Sequence, residues 1–390
     1  MDFKEVRPLT NEELLKLALS CNRCGTCRGV VQDAVPDTAF SLQCPPGMTF
    51  FGSYEPSGLM YIARGISQGD LKWNEDLAKV LYSCTLCAYC DDFCQRGYRH
   101  APGVAILEEL RRRVPLNLRP KALQKAADSV KIPKEHKLSV LKQFGIVDVS
   151  SEEKVDTIIF PDNTLMLNAA KLKEIGFILK KSGKRIGCFI TDPLPPVSAA
   201  LAFGGCQDVL ENSGREIDRR IKAHGIKQVL VYNPESLSVL KRYTRSNAEI
   251  ISLTRFYADL LKNKKAKKIK LPAATYQDPC HLGRYAKDYA SPREIIGELG
   301  IDLKEMWRTT HNSLCCGAGG GVLAGNPGLA KKYAATRWHE AKATGAKVMI
   351  TACPYCNANL QGSKPKEFKI IDITTLVAQA YGYTGKEGGK

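Results

Sequence analysis

The pattern of apolar and polar positions divides the chain into two textures. Up to about residue 145 it reads as helical. Thr10-Asn11-Glu12-Glu13 is a capping-box sequence followed by Leu14, Leu15, Leu17 and Leu19, which predicts a helix ending where the first cysteines begin. Leu71 to Leu81 predicts a second helix. Residues 103–145 read as helical and basic, with Pro115, Pro120 and Pro133 punctuating a connector. Arg111-Arg112-Arg113 is expected to be a solvated helix C-terminus, where cations suit the macrodipole.

From about residue 150, short β-branched runs alternate with amphipathic segments. Val155–Phe160, Arg185–Ile190, Gln228–Tyr232 and Ile250–Leu253 read as strands, and Leu165–Lys180 and Glu235–Tyr243 as helices. This alternation predicts α/β architecture with a largely parallel sheet. An internal repeat runs through it at an offset of 120. Gly225 to Ser236 lies on Gly345 to Cys356, and Ile250-Ile251-Ser252-Leu253 on Ile370-Ile371-Asp372-Ile373. The lysine-rich run Lys262 to Lys270 between the two units reads as an exposed linker.

Composition narrows the setting. Hydrophobic content of 44% and charged content of 25% are ordinary for a globular protein. No apolar run approaches the length of a bilayer span, and the N-terminus lacks a secretory apolar region. The expected location is cytoplasmic, or peripheral on the cytoplasmic face of the membrane through a partner. A net charge of +17 favours anionic substrates, acidic partners or a membrane surface. No nucleic-acid partner is expected, because the basic residues are spread out and accompany no recognition motif.

The fifteen cysteines change the picture most. Without a secretory signal they point to metal ligands rather than disulfides. Cys21, Cys24 and Cys27 are spaced by two residues, with Cys44 after 16 more. Cys84, Cys87, Cys90 and Cys94 form a second group. Triplets at two-residue spacing with a distant fourth thiol fit cubane 4Fe–4S clusters, in which the remote cysteine of one group ligates the other cluster. That assigns one cubane to Cys21, Cys24, Cys27 and Cys94, and the other to Cys84, Cys87, Cys90 and Cys44. Paired zinc sites would instead show two Cys-x2-Cys arms. The long interval resembles the all-helical ferredoxin modules of respiratory complexes. The residues after the first triplet, carrying Pro36 and Asp37, are expected to form a surface loop near its cluster.

A third group comprises Cys280, the adjacent pair Cys315-Cys316, and Cys353-Pro354-Tyr355-Cys356. Adjacent cysteines rarely reach disulfide geometry, and thiolates are soft ligands for iron–sulfur centres or zinc. The repeat puts Asn233 and Ser236 where this group has Cys353 and Cys356, so the first unit lacks these ligands. Cys188 and Cys206 are expected to be buried packing residues.

Asp278-Pro279-Cys280-His281-Leu282-Gly283-Arg284, Ser291-Pro292-Arg293, Cys315-Cys316-Gly317-Ala318-Gly319-Gly320 and Cys353-Pro354-x-Cys356 resemble the cysteine-rich CCG domain. With the preceding ferredoxin groups, the whole chain is similar to the D-type subunits of heterodisulfide reductase and their relatives, including iron–sulfur subunits that accompany glycolate, lactate and glycerol-3-phosphate dehydrogenases. The resemblance implies that Cys280, Cys315, Cys316, Cys353 and Cys356 hold one noncubane 4Fe–4S cluster. In the heterodisulfide reductases two such clusters flank the disulfide; here one can form. Gly317, Gly319, Gly320 and Gly321 would let backbone amides approach it. They do not form a dinucleotide fingerprint, because residue 322 is Val. His281 is a candidate proton donor to a departing thiolate. Gln277 stands where relatives often carry His. Arg284 and His311 are candidates for holding an anionic substrate or cluster charge, or for structural roles.

The expected organisation is an α+β multidomain chain. A helical two-cluster ferredoxin domain spans 1–115 and a helical connector 116–150. A degenerate CCG-like α/β unit follows at 151–263 and an intact CCG unit at 271–390. The expected function is that of an iron–sulfur oxidoreductase component, as in heterodisulfide reductase complexes. It would pass electrons between a redox partner, a membrane cytochrome b or a flavoprotein, and a cluster that reduces or forms a disulfide of a small thiol. The alternative is an electron-transfer component of an FAD-linked 2-hydroxyacid or glycerol-3-phosphate dehydrogenase. A third reading, a zinc-stabilised interaction protein, would lack the roughly 12 irons of three 4Fe–4S clusters.

Overall fold

A computed structural model describes residues 7–29, 35–97, 101–128, 136–151, 154–195, 197 and 207–385. Cys206 and Pro133 lie outside them. The capping box closes at both ends. Thr10 Oγ1 accepts from Glu13 N at 3.1 Å, and Glu13 Oε2 accepts from Thr10 N at 2.8 Å, starting helix Asn11–Leu19. Its buried Leu14 and Ala18 pack on helix Pro56–Gln68. The next helix runs Glu75–Ser83 rather than from Leu71, because Asn74 Oδ1 accepts from Leu77 N at 2.8 Å and fixes the start. Leu71 stays in the preceding turn against Gly65, where an added Cβ would meet its Cγ at 2.6 Å. Helices Tyr89–Gly97 and Gly103–Arg113 complete this module.

Arg111 corrects the solvated-terminus expectation. It is wholly buried, on the same helical face as Val104 and Leu107, and its guanidinium serves backbone carbonyls. The Asp37 loop is also not a free surface loop. Asp37 Oδ2 meets His339 Nε2 at 2.7 Å, and buried Phe40 packs on Trp307 and His339 in the C-terminal unit.

The remainder is α/β. Strands β1 (Val147–Asp148), β2 (Thr157–Ile159), β3 (Ile186–Cys188), β4 (Gln228–Val231) and β5 (Glu249–Ser252) form a parallel sheet in the order β1-β3-β2-β4-β5. β6 (Ala274–Gln277), β7 (Val348–Thr351) and β8 (Lys369–Asp372) form a second parallel sheet in that order. Elements 120 positions apart share type and bounds: β4 with β7, β5 with β8, and the helices starting at Pro234 and Pro354.

Strand residues alternate between two cores. Ile158, Val229 and Val231 face a core shared with the helical module, through Leu81, Leu107 and Leu110. Ile159 and Leu230 face a core shared with the second sheet, through Tyr276, Ile350 and Ile373. Burial on both faces explains why these strands read as unbroken apolar runs. A buried bridge adds to the first contact: Arg242 Nη1 lies 2.7 Å from Glu108 Oε1. Among the described residues, no helix is long and apolar enough to cross a membrane.

Candidate metal centre

The two cysteine triplets fold alike. Arg23 and Gly25 in the first, and Leu86 and Ala88 in the second, all have φ between 50° and 76°. Three of these carry side chains in a conformation that costs about 1–3 kcal/mol. The strain turns the loop so that an amide two residues on reaches a thiol. Arg23 N donates to Cys21 Sγ at 3.3 Å and Leu86 N to Cys84 Sγ at 3.4 Å. The CCG pair repeats this device with Gly317, at φ 92°, donating to Cys315 Sγ at 3.4 Å. Amides aimed at sulfur favour the thiolate, the form that binds metal.

The thiols gather around two adjoining cavities. Cys21, Cys24, Cys27, Cys90 and Cys94 line the outer one. Cys27, Cys44, Cys84, Cys87 and Cys90 line the inner one. Each set of four assigned by spacing therefore shares a cavity, while Cys27 and Cys90 border both. Small residues keep space beside the sulfurs: a Cβ on Gly103 would meet Cys90 Sγ at 3.1 Å, and one on Gly47 would meet Cys44 Cβ at 3.3 Å. The thiol chemistry, the inward-aimed amides and this glycine relief fit two iron–sulfur clusters. Cys24 is exposed, whereas Cys44 and Cys87 are buried.

Five buried thiols of the C-terminal group lie beyond the ends of the second sheet's strands. β6 ends just before Cys280 and β7 just before Cys353, which begins helix Pro354–Gly362. Carboxyl ends of parallel strands are the usual place for such sites in α/β folds. Asn359 Nδ2 donates to Cys316 O at 2.7 Å and fixes the pair. Cys280 and Cys315 pack in one buried cluster, and Cys316, Cys353 and Cys356 in another beside it. Those sulfur contacts push the Cys316 thiol down to about 5. In the first unit Asn233 occupies the helix-start position of Cys353 and caps its own helix through Glu235 N at 3.0 Å.

The inner cavity and the five-thiol group touch. Cys87, Tyr89, Cys280 and Cys315 pack as one buried cluster. Gly319 and Gly320 serve this junction. A Cβ on Gly319 would lie 2.6 Å from Thr85 O, and one on Gly320 2.6 Å from Cys84 O. Their space admits the inner-cavity loop, a use the spacing does not suggest.

Arg284 is buried, with Nη1 donating to Cys87 O at 3.1 Å, Nε to His311 O at 3.2 Å, and Nη2 to Ser313 O. It braces the junction and places a cation beside Cys87, Cys280 and Cys315. His311 meets Asp92 Oδ2 at 3.1 Å. Gln277 is buried and accepts from Arg337 Nε at 2.6 Å.

His281 is buried, stacked on Tyr285 at 4.2 Å, and its Nδ1 lies 2.7 Å from Ser238 Oγ. Ser238 donates its hydroxyl to Glu235 O at 2.8 Å, so the network assigns the His281 proton to Nδ1. Burial, with Arg242 nearby, lowers the imidazole pKa to about 3. This favours the neutral ring, whose Nδ1 faces Ser238 Oγ. Glu235 carries no signal in the sequence. Its carboxyl is buried beside Gly319, and burial, then the Cys315 charge, raises it to about 8.

Comparison with known proteins gives a domain family and relatives along the whole chain. Residues 274–361 match the cysteine-rich CCG domain family. The chain is 28% identical to the D-type subunit of dihydromethanophenazine:CoB–CoM heterodisulfide reductase from Methanosarcina mazei, covering 98% of each chain. It is 29% identical to the Methanosarcina acetivorans protein of the same name, covering 97% of each. The crystal structure of a hypothetical protein from Helicobacter pylori aligns with a TM-score of 0.52 at 14% identity, covering 96% of this chain and 72% of that one, which is a likeness of fold. The chain is thus similar over nearly its whole length to D-type subunits of heterodisulfide reductase, which belong to oxidoreductase complexes, and carries a CCG cysteine-rich domain at residues 274–361.

Proposed function

We propose that this chain carries electrons from a redox partner through two cubanes, held by Cys21, Cys24, Cys27, Cys94 and by Cys44, Cys84, Cys87, Cys90. The path ends at a noncubane 4Fe–4S cluster on Cys280, Cys315, Cys316, Cys353 and Cys356. The observation that carries this reading is the packing of Cys87 with Cys280 and Cys315 in one buried cluster, which joins the inner cavity to the five-thiol group. With the exposed Cys24 at one end, the thiols form one continuous path from surface to interior.

When bound, the terminal cluster supplies one-electron chemistry at sulfur. The net reaction is a disulfide plus two electrons and two protons giving two thiols, with the partner protein as reductant. The chain's own part is to hold the thiolates, exclude water and supply protons. Glu235 suits the last task better than His281, because its buried carboxyl keeps a proton up to about pH 8. The partner is a membrane cytochrome b or a flavoprotein, and the location is cytoplasmic or at the cytoplasmic membrane face.

A second reading keeps the same electron path but makes the chain a conduit for an FAD-linked 2-hydroxyacid or glycerol-3-phosphate dehydrogenase. The degenerate first unit favours it, since Asn233 and Ser236 hold helix and backbone contacts where cysteines would bind a second cluster. EPR of the oxidised, iron-loaded protein with added thiols separates the two. A thiol-dependent change supports sulfur chemistry at the terminal cluster. An unchanged spectrum, with a flavoprotein co-purifying under anaerobic conditions, supports the conduit.

A further inference from the structure

The loop Ser83–Cys87 supplies two ligands of the inner cubane proposed above, and its backbone is handled unusually. Ser83 O accepts from Tyr333 Oη at 3.2 Å, and Cys84 O from Arg111 Nη2 at 2.7 Å. Leu86 O accepts from Tyr285 Oη at 2.7 Å, and Cys87 O from Arg284 Nη1 at 3.1 Å. Thr85 O faces Gly319 and Gly320 in the space their missing Cβ atoms leave. Five consecutive carbonyls are therefore drawn toward the surrounding chain. Three of the four side-chain donors, and both glycines, belong to the CCG unit.

A trans peptide points its C=O and N–H in opposite directions. Drawing the carbonyls outward turns the amides toward the thiols. Leu86 N, on the far side of the Thr85 peptide, donates to Cys84 Sγ at 3.4 Å. Two of the donors, Arg111 and Arg284, are buried guanidinium cations. Carboxyl groups oppose them: Asp91 Oδ1 lies 3.5 Å from Cys90 Sγ, and the Glu108 charge acts on Arg111. The outer triplet has no such collar among the described residues. Arg23 is exposed over Tyr61, and Cys24 is exposed. Reducing a cluster adds negative charge, so fixed cations and inward amide dipoles favour the reduced form.

We propose that Arg284, Arg111, Tyr285 and Tyr333 are positioning residues that raise the reduction potential of the inner cubane above that of the outer one. Electrons then run downhill from the exposed cluster toward Cys315. The CCG unit thereby tunes a cluster whose ligands belong to the helical module. This rests on the cluster assignment of the proposed function.

The test is an anaerobic redox titration of the iron-loaded full chain, followed by EPR, for wild type, Arg284→Gln, Arg284→Lys and Tyr285→Phe. The inner cubane's midpoint is expected to fall in Arg284→Gln, to be largely restored in Arg284→Lys, and to fall by less in Tyr285→Phe, with the outer midpoint unmoved. Two cubane signals whose midpoints stay fixed in Arg284→Gln and Tyr285→Phe, or shift together, overturn the inference alone. Failure to find two cubane signals in wild type overturns the cluster assignment beneath it. Tyr285→Phe keeps both buried cations and decides the matter where Arg284→Gln does not accumulate.

Discussion

Cys87 packs against Cys315 in one buried cluster across the boundary between the helical module and the second α/β unit. The lining of the inner cavity and the five-thiol group thus share one buried cluster. That boundary is held closed by the absence of two side chains, Gly319 and Gly320, as much as by any bond. Alanine at either position brings a Cβ to 2.6 Å from a carbonyl oxygen of the 84–85 loop. Gly319→Ala and Gly320→Ala are expected to cost about 1–3 kcal/mol in thermal melts. Both should also slow reduction of the terminal cluster through the cubanes. Unchanged melting and electron flow would mean that the loop is not pressed there.

The terminal site separates from the cubanes by ligand deletion. Cys353→Ser is expected to lower bound iron from about 12 to about 8 per chain, with both cubane EPR signals retained. Iron analysis with EPR checks this. Loss of all cluster signals would show that the three sites do not load independently.

The Arg242–Glu108 bridge ties the first α/β unit to the helical module with both partners buried. Arg242→Met leaves a buried carboxylate unpaired and is expected to cost about 3–5 kcal/mol. Arg242→Met with Glu108→Leu should recover much of that loss. Urea midpoints of the two variants decide it, and an equal loss in both would assign the cost to packing.

Acid sensitivity has an identifiable source away from the cysteines. Burial raises the Asp148 pKa, but Lys142, the Ile190 and Thr191 amides and Ser150 outweigh it and hold the carboxyl at about 2. A lowered carboxylate pKa contributes stability above the unfolded value of about 3.8, and loses it as pH falls toward 2. Asp148→Asn is expected to cost roughly 1–2 kcal/mol at neutral pH and to flatten the stability profile between pH 4 and 2. Melting curves across that range test the slope.

The cysteine spacing carried the two cavities, because thiols two residues apart on a left-handed loop have few other ways to fold. The repeat carried the matching bounds of β4 and β7. The glycines were legible as close approach, but what approaches them, the loop around Thr85, is more than 200 residues away in sequence. Arg111 reads as solvated from its charge, although its spacing from Val104 and Leu107 puts it on the apolar face. Tyr285, Tyr333 and Glu235 carry no local signal. Their roles come from contacts between modules, which no window of sequence contains.

The clamp on Ser83–Cys87 also orders biosynthesis. Most of the groups that cover this loop, from Arg284 to Tyr333, are made long after Cys94, the last cubane thiol. On the ribosome the helical module emerges with its inner thiols still uncovered. The CCG unit seals them only when the chain is nearly finished.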